Sequence, residues 1–348
     1  MNKEKIHENF LFNIKNYDKI YKSQHWEYQN KKKVDLFKID NLINFRNNNL
    51  SMGLDDQFYS DVETKNLFYS LISKLSEKFV YEMLEDKNIG NVKKFFIFKD
   101  KYYSANDLFH IMYSKLLNDY FKFEEKTLIC EIGPGYGSFI NKLYKKNNFK
   151  TILIDLPEAN YINSYFLNSL YPNKNIFFSC DIKNEMIPPN IFEKYDILIL
   201  CPWDPLPKIK VDVFINTRSM MEMDYSTISK YFKYIKDNIK DNGIFFCSNR
   251  YYKDTVGYPV EFYKYPFDEN WKTLYSEKSW KQEHIHCLIL QRSKEKRNDI
   301  KIEKKKLYEL GKIQMKKDTR LIRRITPNFL YFIYKNLKFH LTKIFNAK

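Results

Sequence analysis

Residues 127–137, TLICEIGPGYG, constrain this chain more than any other stretch. A short apolar run ends, three glycines follow at alternate positions, and a helical pattern resumes. Glycine permits positive φ and lets backbone approach a ligand with no Cβ in the way. The first turn of the following helix adds unpaired N–H groups. Three of the chain's eight glycines are spent here, which argues against an idle turn. A dinucleotide turn would read G-x-G-x-x-G. Here the spacing is G-x-G-x-G, and Glu131 precedes it, where a carboxylate would repel a pyrophosphate. A carboxylate suits a nucleoside that lacks phosphate and carries an ammonium group. S-adenosylmethionine meets both conditions and is the expected cofactor, held by Glu131, Gly133, Gly135 and Gly137.

Asp155 supports this reading. It ends the next apolar run, KTILIDL (150–156), 18 residues beyond Gly137. A carboxylate there can accept hydrogen bonds from both ribose hydroxyls; the competing role is a helix cap. Asp181 closes NIFFSC (175–180) and is a candidate for the adenine amino group, with a loop role as the alternative. YDILILC (195–201) and PWDP (202–205) compete for the same place, so the third core strand is left open between two segments.

Apolar runs continue with VDVFINT (211–217), GIFFCSN (243–249), and a closing pair at 271–280 and 284–292. Helical stretches separate most of them. Short apolar runs alternating with helices predict an α/β fold with a parallel sheet covered on both faces. The closing pair predicts an antiparallel hairpin at the sheet edge. Residues 1–125 read as a mostly helical cap, with helices over 62–86 and 105–121. Residues 126–293 read as the catalytic domain and 294–348 as a basic, helical tail, with an exposed helix over 300–325.

The net charge of +16 is unevenly spread. Residues 294–348 hold 17 Lys plus Arg against 5 Asp plus Glu, leaving the body only mildly basic. That argues against a nucleic-acid groove through the body. The five cysteines, 130, 180, 201, 247 and 287, lie in or beside apolar runs without metal-ligand spacing. Reduced thiols in a cytoplasmic protein are expected. The first residues lack the apolar stretch of a signal peptide, and no run of about 18 apolar residues predicts a membrane span.

EIGPGYG, LIDLPEANYINSYFL and VDVFINTRSMMEM, with YF and Asn249–Arg250 beyond, resemble the sugar O-methyltransferase family. SQHWE (23–27) and NFRNNNLSMGLDD (44–56) match its N-terminal pattern, so the resemblance spans roughly residues 20–292. It implies a Rossmann-like methyltransferase sheet, cofactor on the glycine loop, and a sugar or glycan acceptor in surface polysaccharide synthesis. It also implies that Asn216, Ser219, Glu222 and Arg250 belong to the acceptor side. Read from the residues, Ser219 and Glu222 also fit a helix cap.

A sugar hydroxyl is a poor nucleophile, so a general base is expected. The candidates are Glu222, His110, Asp204, His284 and His286, with Glu222 favoured by its place after a strand. His284 and His286 alternate on one strand, so only one can face a site. Asp55–Asp56 reads as a solvated loop rather than a metal site. The tail's Arg320, Arg323 and Arg324 among Phe329, Tyr331 and Phe332 suit peripheral contact with an anionic membrane, or packing on the body or on a second subunit. Methylation of RNA, protein or another small molecule, and an NAD-dependent oxidoreductase, are the competing functions.

Overall fold

A computed structural model describes residues 3–18, 26, 36–47, 50, 59–92, 95–183, 185–253 and 258–317. Asp55–Asp56, most of SQHWE, and the tail beyond residue 317 lie outside the described residues.

The first third is mainly helical. α1 spans Lys3–Lys15, α2 Asp61–Leu75, α3 Glu77–Met83 and α4 Ala105–Tyr120, with a small hairpin of β1 (Phe96–Phe98) and β2 (Lys101–Tyr103) before α4. α2 and α4 each start on a capping box, Ser60 with Glu63 and Ser104 with Asp107, which satisfies donors the helix cannot. The single helix expected over 62–86 is two. Ser76 takes a left-handed φ of 75° and its hydroxyl accepts from the Phe79 amide, ending α2 and starting α3.

An eight-stranded sheet follows. Its strands are β3 (Leu128–Ile132), β4 (Lys150–Ile154), β5 (Ile176–Phe178), β6 (Ile197–Leu200), β7 (Val211–Thr217), β8 (Ile239–Arg250), β11 (Trp271–Ser279) and β12 (Gln282–Arg292). The spatial order is β11-β12-β8-β7-β3-β4-β6-β5. β3 to β8 run parallel, and β12 runs antiparallel to both β8 and β11. The closing hairpin is therefore present, and its second strand inserts between the first and the rest of the sheet. A two-residue ladder, β9 (Tyr252–Lys253) with β10 (Val260–Glu261), sits beside it.

The open question over the third strand is settled by pairing. β6 lies against β4, while β5 is pushed to the edge beyond β6. The segment 195–201 thus occupies the place next to the Asp155 strand.

Four helices cover the sheet: α5 (Ser138–Tyr144), α6 (Pro157–Leu170), α7 (Tyr225–Asn238) and α8 (Asp299–Lys317). Alternate residues of each strand face opposite layers. Ile129, Leu153, Ile199 and Ile215 pack with Ile140 and Leu143 of α5 and Ile162 and Phe166 of α6. Cys130, Ile152, Leu198 and Phe214 pack with Ile228 and Ile235 of α7 and Ile300 and Leu307 of α8. Each such side chain, fully buried, contributes about 1.5–3 kcal/mol, so both layers hold the sheet. This is a doubly wound α/β fold. After β3 the chain goes to β4 on one side, and β7 takes the other side. The crevice at the carboxyl ends of β3 and β7 is thus a switch point, where such sheets place ligands.

Candidate active site

A cavity of about 420 Å³ lies at this carboxyl edge. Its walls come from the glycine loop after β3, the first turns of α5, α6 and α7, the loops after β4, β6 and β7, the end of β8, α4, and the start of β12.

The glycine loop is shaped as its sequence demands. Gly133, Gly135 and Gly137 all have positive φ, at 75°, 58° and 89°. The Gly133 amide donates to Ile154 O at 2.8 Å, tying the loop to β4. Asp155 ties it again: its carboxylate accepts from Gly135 N at 2.9 Å and Leu156 N at 2.8 Å. Asp155 lines the cavity, so it both braces the loop and faces the open space. Burial raises its pKa to about 7 despite the two amides.

Glu131, near the end of β3, is fully buried, and among the described residues neither carboxylate oxygen has a hydrogen-bond partner. Burial, then the nearby Asp155 charge, pushes its pKa up to about 8. A buried carboxyl without a partner is costly. Its position behind the loop fits a cationic group brought in by a ligand. Gly133, Gly135 and Asp155 line the cavity, whereas Glu131 and Gly137 lie behind its wall.

Tyr136 of the loop is anchored from the N-terminal third. Its hydroxyl accepts from Asn106 Nδ2 at 3.2 Å, Arg46 lies 5.1 Å over its ring, and Phe166 meets it edge-on. Behind it, buried Lys142 of α5 pairs with Glu85 and, at 3.1 Å, with Asp107. Arg46 adds a contact to Asp107 at 3.7 Å. This cluster locks α4 and the segment after α3 onto the helix that carries the loop.

The predicted residues fall into two groups. Ser219, Glu222, Arg250, His110 and His284 line the cavity. His110, on α4, bonds through Nδ1 to Ser138 Oγ at 2.8 Å and stacks on Phe139. Burial, then the Arg218 cation, holds its pKa well below the ordinary histidine value. The carboxylate of Glu222 forms an ion pair with Lys253 of β9.

The others are placed elsewhere. Asp181 is at the far edge of the sheet, where Lys5 pairs with it at 3.0 Å and its carboxylate accepts from Phe178 N; the β6 strand separates it from Asp155. Asp204 turns inward, accepting from Ser179 Oγ at 2.5 Å and Cys201 N at 2.6 Å. Asn216 is fully buried and positions the wall instead of forming it. Its amide donates to Ile132 O at 2.8 Å and to Ser219 Oγ at 2.6 Å, and Asn249 donates to it at 2.9 Å. His286 lies in the core between Tyr251 and Ser276, so of the alternating pair only His284 reaches the cavity.

Arg218, Asn106, Tyr136 and Glu158 also line the cavity and were not singled out from sequence. Arg218 stood inside a quoted motif, but its φ of 61° is unusual for a side-chain-bearing residue and leaves no trace in the letter. Among the described residues no three His, Cys, Asp or Glu side chains are grouped to hold a metal ion, and no helix is long and apolar enough to cross a membrane.

No family model matches the chain, and no curated protein does. Solved structures similar to it include the mitomycin 7-O-methyltransferase MmcR, at 11% identity and TM-score 0.37, with 54% of this chain and 57% of that one covered. The chain thus spans little more than half of that protein. An rRNA methylase from Streptococcus thermophilus aligns at 12% identity and TM-score 0.36, covering 53% and 95%. A sarcosine dimethylglycine methyltransferase from Galdieria sulphuraria aligns at 11% identity and TM-score 0.39, covering 54% and 87%.

Proposed function

We propose that this chain is an S-adenosylmethionine-dependent O-methyltransferase whose acceptor is a sugar hydroxyl. The observation that carries the methyltransferase reading is the unpartnered, buried Glu131 carboxyl behind a loop of three positive-φ glycines, with Asp155 beside it. A phosphate-bearing dinucleotide would meet two acids there.

Bound there, S-adenosylmethionine would supply an electrophilic methyl carbon with a neutral leaving group. Glu131 compensates the ammonium, the glycine loop gives close backbone approach, and Asp155 receives the ribose. Phe109, Ile285 and Met221 line the rest of the cavity and limit water. Such a site gains its rate mostly by positioning. His110 is the base this geometry favours over Glu222. Its depressed pKa keeps the imidazole neutral, and the tautomer this reading requires, with the proton on Nδ1 toward Ser138 Oγ, puts the lone pair on Nε2. Glu222 is occupied by Lys253 and orients the loop after β7.

The sugar acceptor, and a place in surface polysaccharide synthesis, are supported by the sequence segments over residues 20–292. A cavity of about 420 Å³ favours a small acceptor or the end of a glycan over a long duplex. Calorimetry of the full chain with S-adenosylhomocysteine and with NAD tests the cofactor. Binding of the first alone is expected; binding of NAD alone overturns the reading. Mass spectrometry of glycans from a deletion strain tests the sugar, through loss of one methyl mass.

A further inference from the structure

The charges on the cavity wall are sorted along the sheet. Asp155 and Glu158 stand at the β4 and α6 end, while Arg218 and Arg250 follow β7 and end β8. Parallel strands are about 4.8 Å apart, and β4, β3, β7 and β8 are consecutive neighbours. The acids and the guanidiniums are therefore rooted roughly 10–14 Å apart.

Arg218 and Arg250 are rooted side by side. Thr217 pairs with Ser248, and the Arg218 amide donates to Ser248 O at 2.7 Å. The Arg218 guanidinium donates to Asn106 Oδ1, a neutral amide, at 2.9 Å. Among the described residues no carboxylate lies within ion-pair distance of it. Its backbone holds a left-handed φ of 61°, a conformation that costs energy in a residue with a side chain. Among the described residues lining this side of the cavity, the acid is Glu222, and Lys253 engages it. A half-buried guanidinium with only a neutral partner, at a strained position beside a second guanidinium, is built for an anion. Guanidinium forks match the planar oxygens of carboxylate and phosphate.

If the β4 and β3 half holds the nucleoside, the β7 and β8 half is left for the acceptor. We propose that the acceptor is acidic, and that Arg218 and Arg250 hold its carboxylate or phosphate group. This rests on the methyltransferase reading for its orientation, while the arginine pair itself does not.

The test is calorimetry on the full chain, with and without saturating S-adenosylhomocysteine, using glucuronate, glucose 1-phosphate and neutral glucose at millimolar concentration. Binding of one charged probe with little response to glucose is expected, and which probe binds separates carboxylate from phosphate. Arg218→Gln and Arg250→Gln should each weaken that binding about tenfold or more, with Arg218→Lys intermediate and melting temperatures near wild type. No binding of either charged probe, or equal binding by the variants, overturns the proposal. So does a loss of S-adenosylhomocysteine affinity in Arg218→Gln with methylthioadenosine affinity unchanged, because the anion would then be the cofactor's own carboxylate. Failure of the wild type to bind S-adenosylhomocysteine counts against the cofactor reading alone; titration without it still reads the arginine pair.

Discussion

A Cβ placed on Gly133 would stand 2.0 Å from the hydroxyl of Ser219. The two residues belong to the loops after β3 and β7, the two strands that flank the switch point. Ser219 cannot withdraw, because its Oγ donates to Ile132 O at 3.1 Å and accepts from Asn216. The glycine is therefore required twice, for its φ of 75° and for the space.

Gly133→Ala should cost about 1–3 kcal/mol of stability, read as a lower denaturation midpoint, and abolish detectable S-adenosylhomocysteine binding. Adding Ser219→Gly removes the clash but not the φ penalty. The double variant should regain part of the stability. A double variant no better than Gly133→Ala would show that the close approach is unimportant.

Glu131 predicts a pH dependence. Burial lifts its pKa to about 8 in the folded chain, far above an unfolded carboxyl. The folded state then binds more protons, so its stability is greatest below the unfolded value and declines as pH climbs toward about 8. Asp155, raised to about 7, adds in the same direction. A ligand ammonium favours the carboxylate, so cofactor binding should release a proton and tighten as pH rises through the same window. Glu131→Gln should flatten the melting temperature against pH and remove most of the proton release, measured by calorimetry in buffers of different ionisation enthalpy. An unchanged proton count would remove Glu131 from the ammonium site.

The glycine loop was legible in sequence because its chemistry is local. Turn, acid and helix start are consecutive, and Asp155 follows on the next strand. The misplacement of Asp181 came from strand order. Which of β5 and β6 pairs with β4 depends on contacts between distant segments, including the seat of α1 against Asp181. Neither the break at Ser76 nor the conformation of Arg218 is encoded by residue type, since no other serine or arginine among the described residues has a positive φ. The Lys142, Glu85 and Asp107 cluster joins three separate segments and carries no motif. The helix expected as exposed over 300–325 is present as Asp299–Lys317, but Ile300 and Leu307 pack it on the sheet.

That helix, α8, sets where the tail can be cut. Ile300 and Leu307 are buried against the sheet, and Glu303 and Lys306 both bond Ser276 of β11. Truncation after residue 293 should lower stability by roughly 3–5 kcal/mol, from two buried side chains and their cavities. Truncation after Lys317 should leave the melting temperature within a few degrees of the full chain. Vesicle co-sedimentation of the full chain and of 1–317 then tests membrane contact without damaging the core. Equal sedimentation of the two on anionic vesicles discards that role for the tail.

The base can be separated from its neighbours kinetically. His110 lines the cavity with Nδ1 fixed by Ser138, and burial with the Arg218 cation keeps it neutral. A neutral imidazole is ready to take a proton, and its low basicity limits how much it contributes. Replacing it should lower kcat by about 10²-fold, the lower end for general base catalysis. His110→Asn is the informative change, because the amide can still bond Ser138 and keep the wall in place. S-adenosylhomocysteine affinity should then stay within about threefold of wild type, since the imidazole touches no nucleoside contact proposed above. The acidic limb of the kcat/KM profile in the wild type should fall well below the ordinary histidine value, as the direction of its shift requires. Glu222→Gln keeps the shape of the side chain and loses only the charge paired with Lys253. If Glu222 orients the loop, that change should raise KM for the acceptor and lower kcat by less than about tenfold. A larger kcat loss in Glu222→Gln than in His110→Asn would exchange the two roles, with Lys253 then holding the base in place.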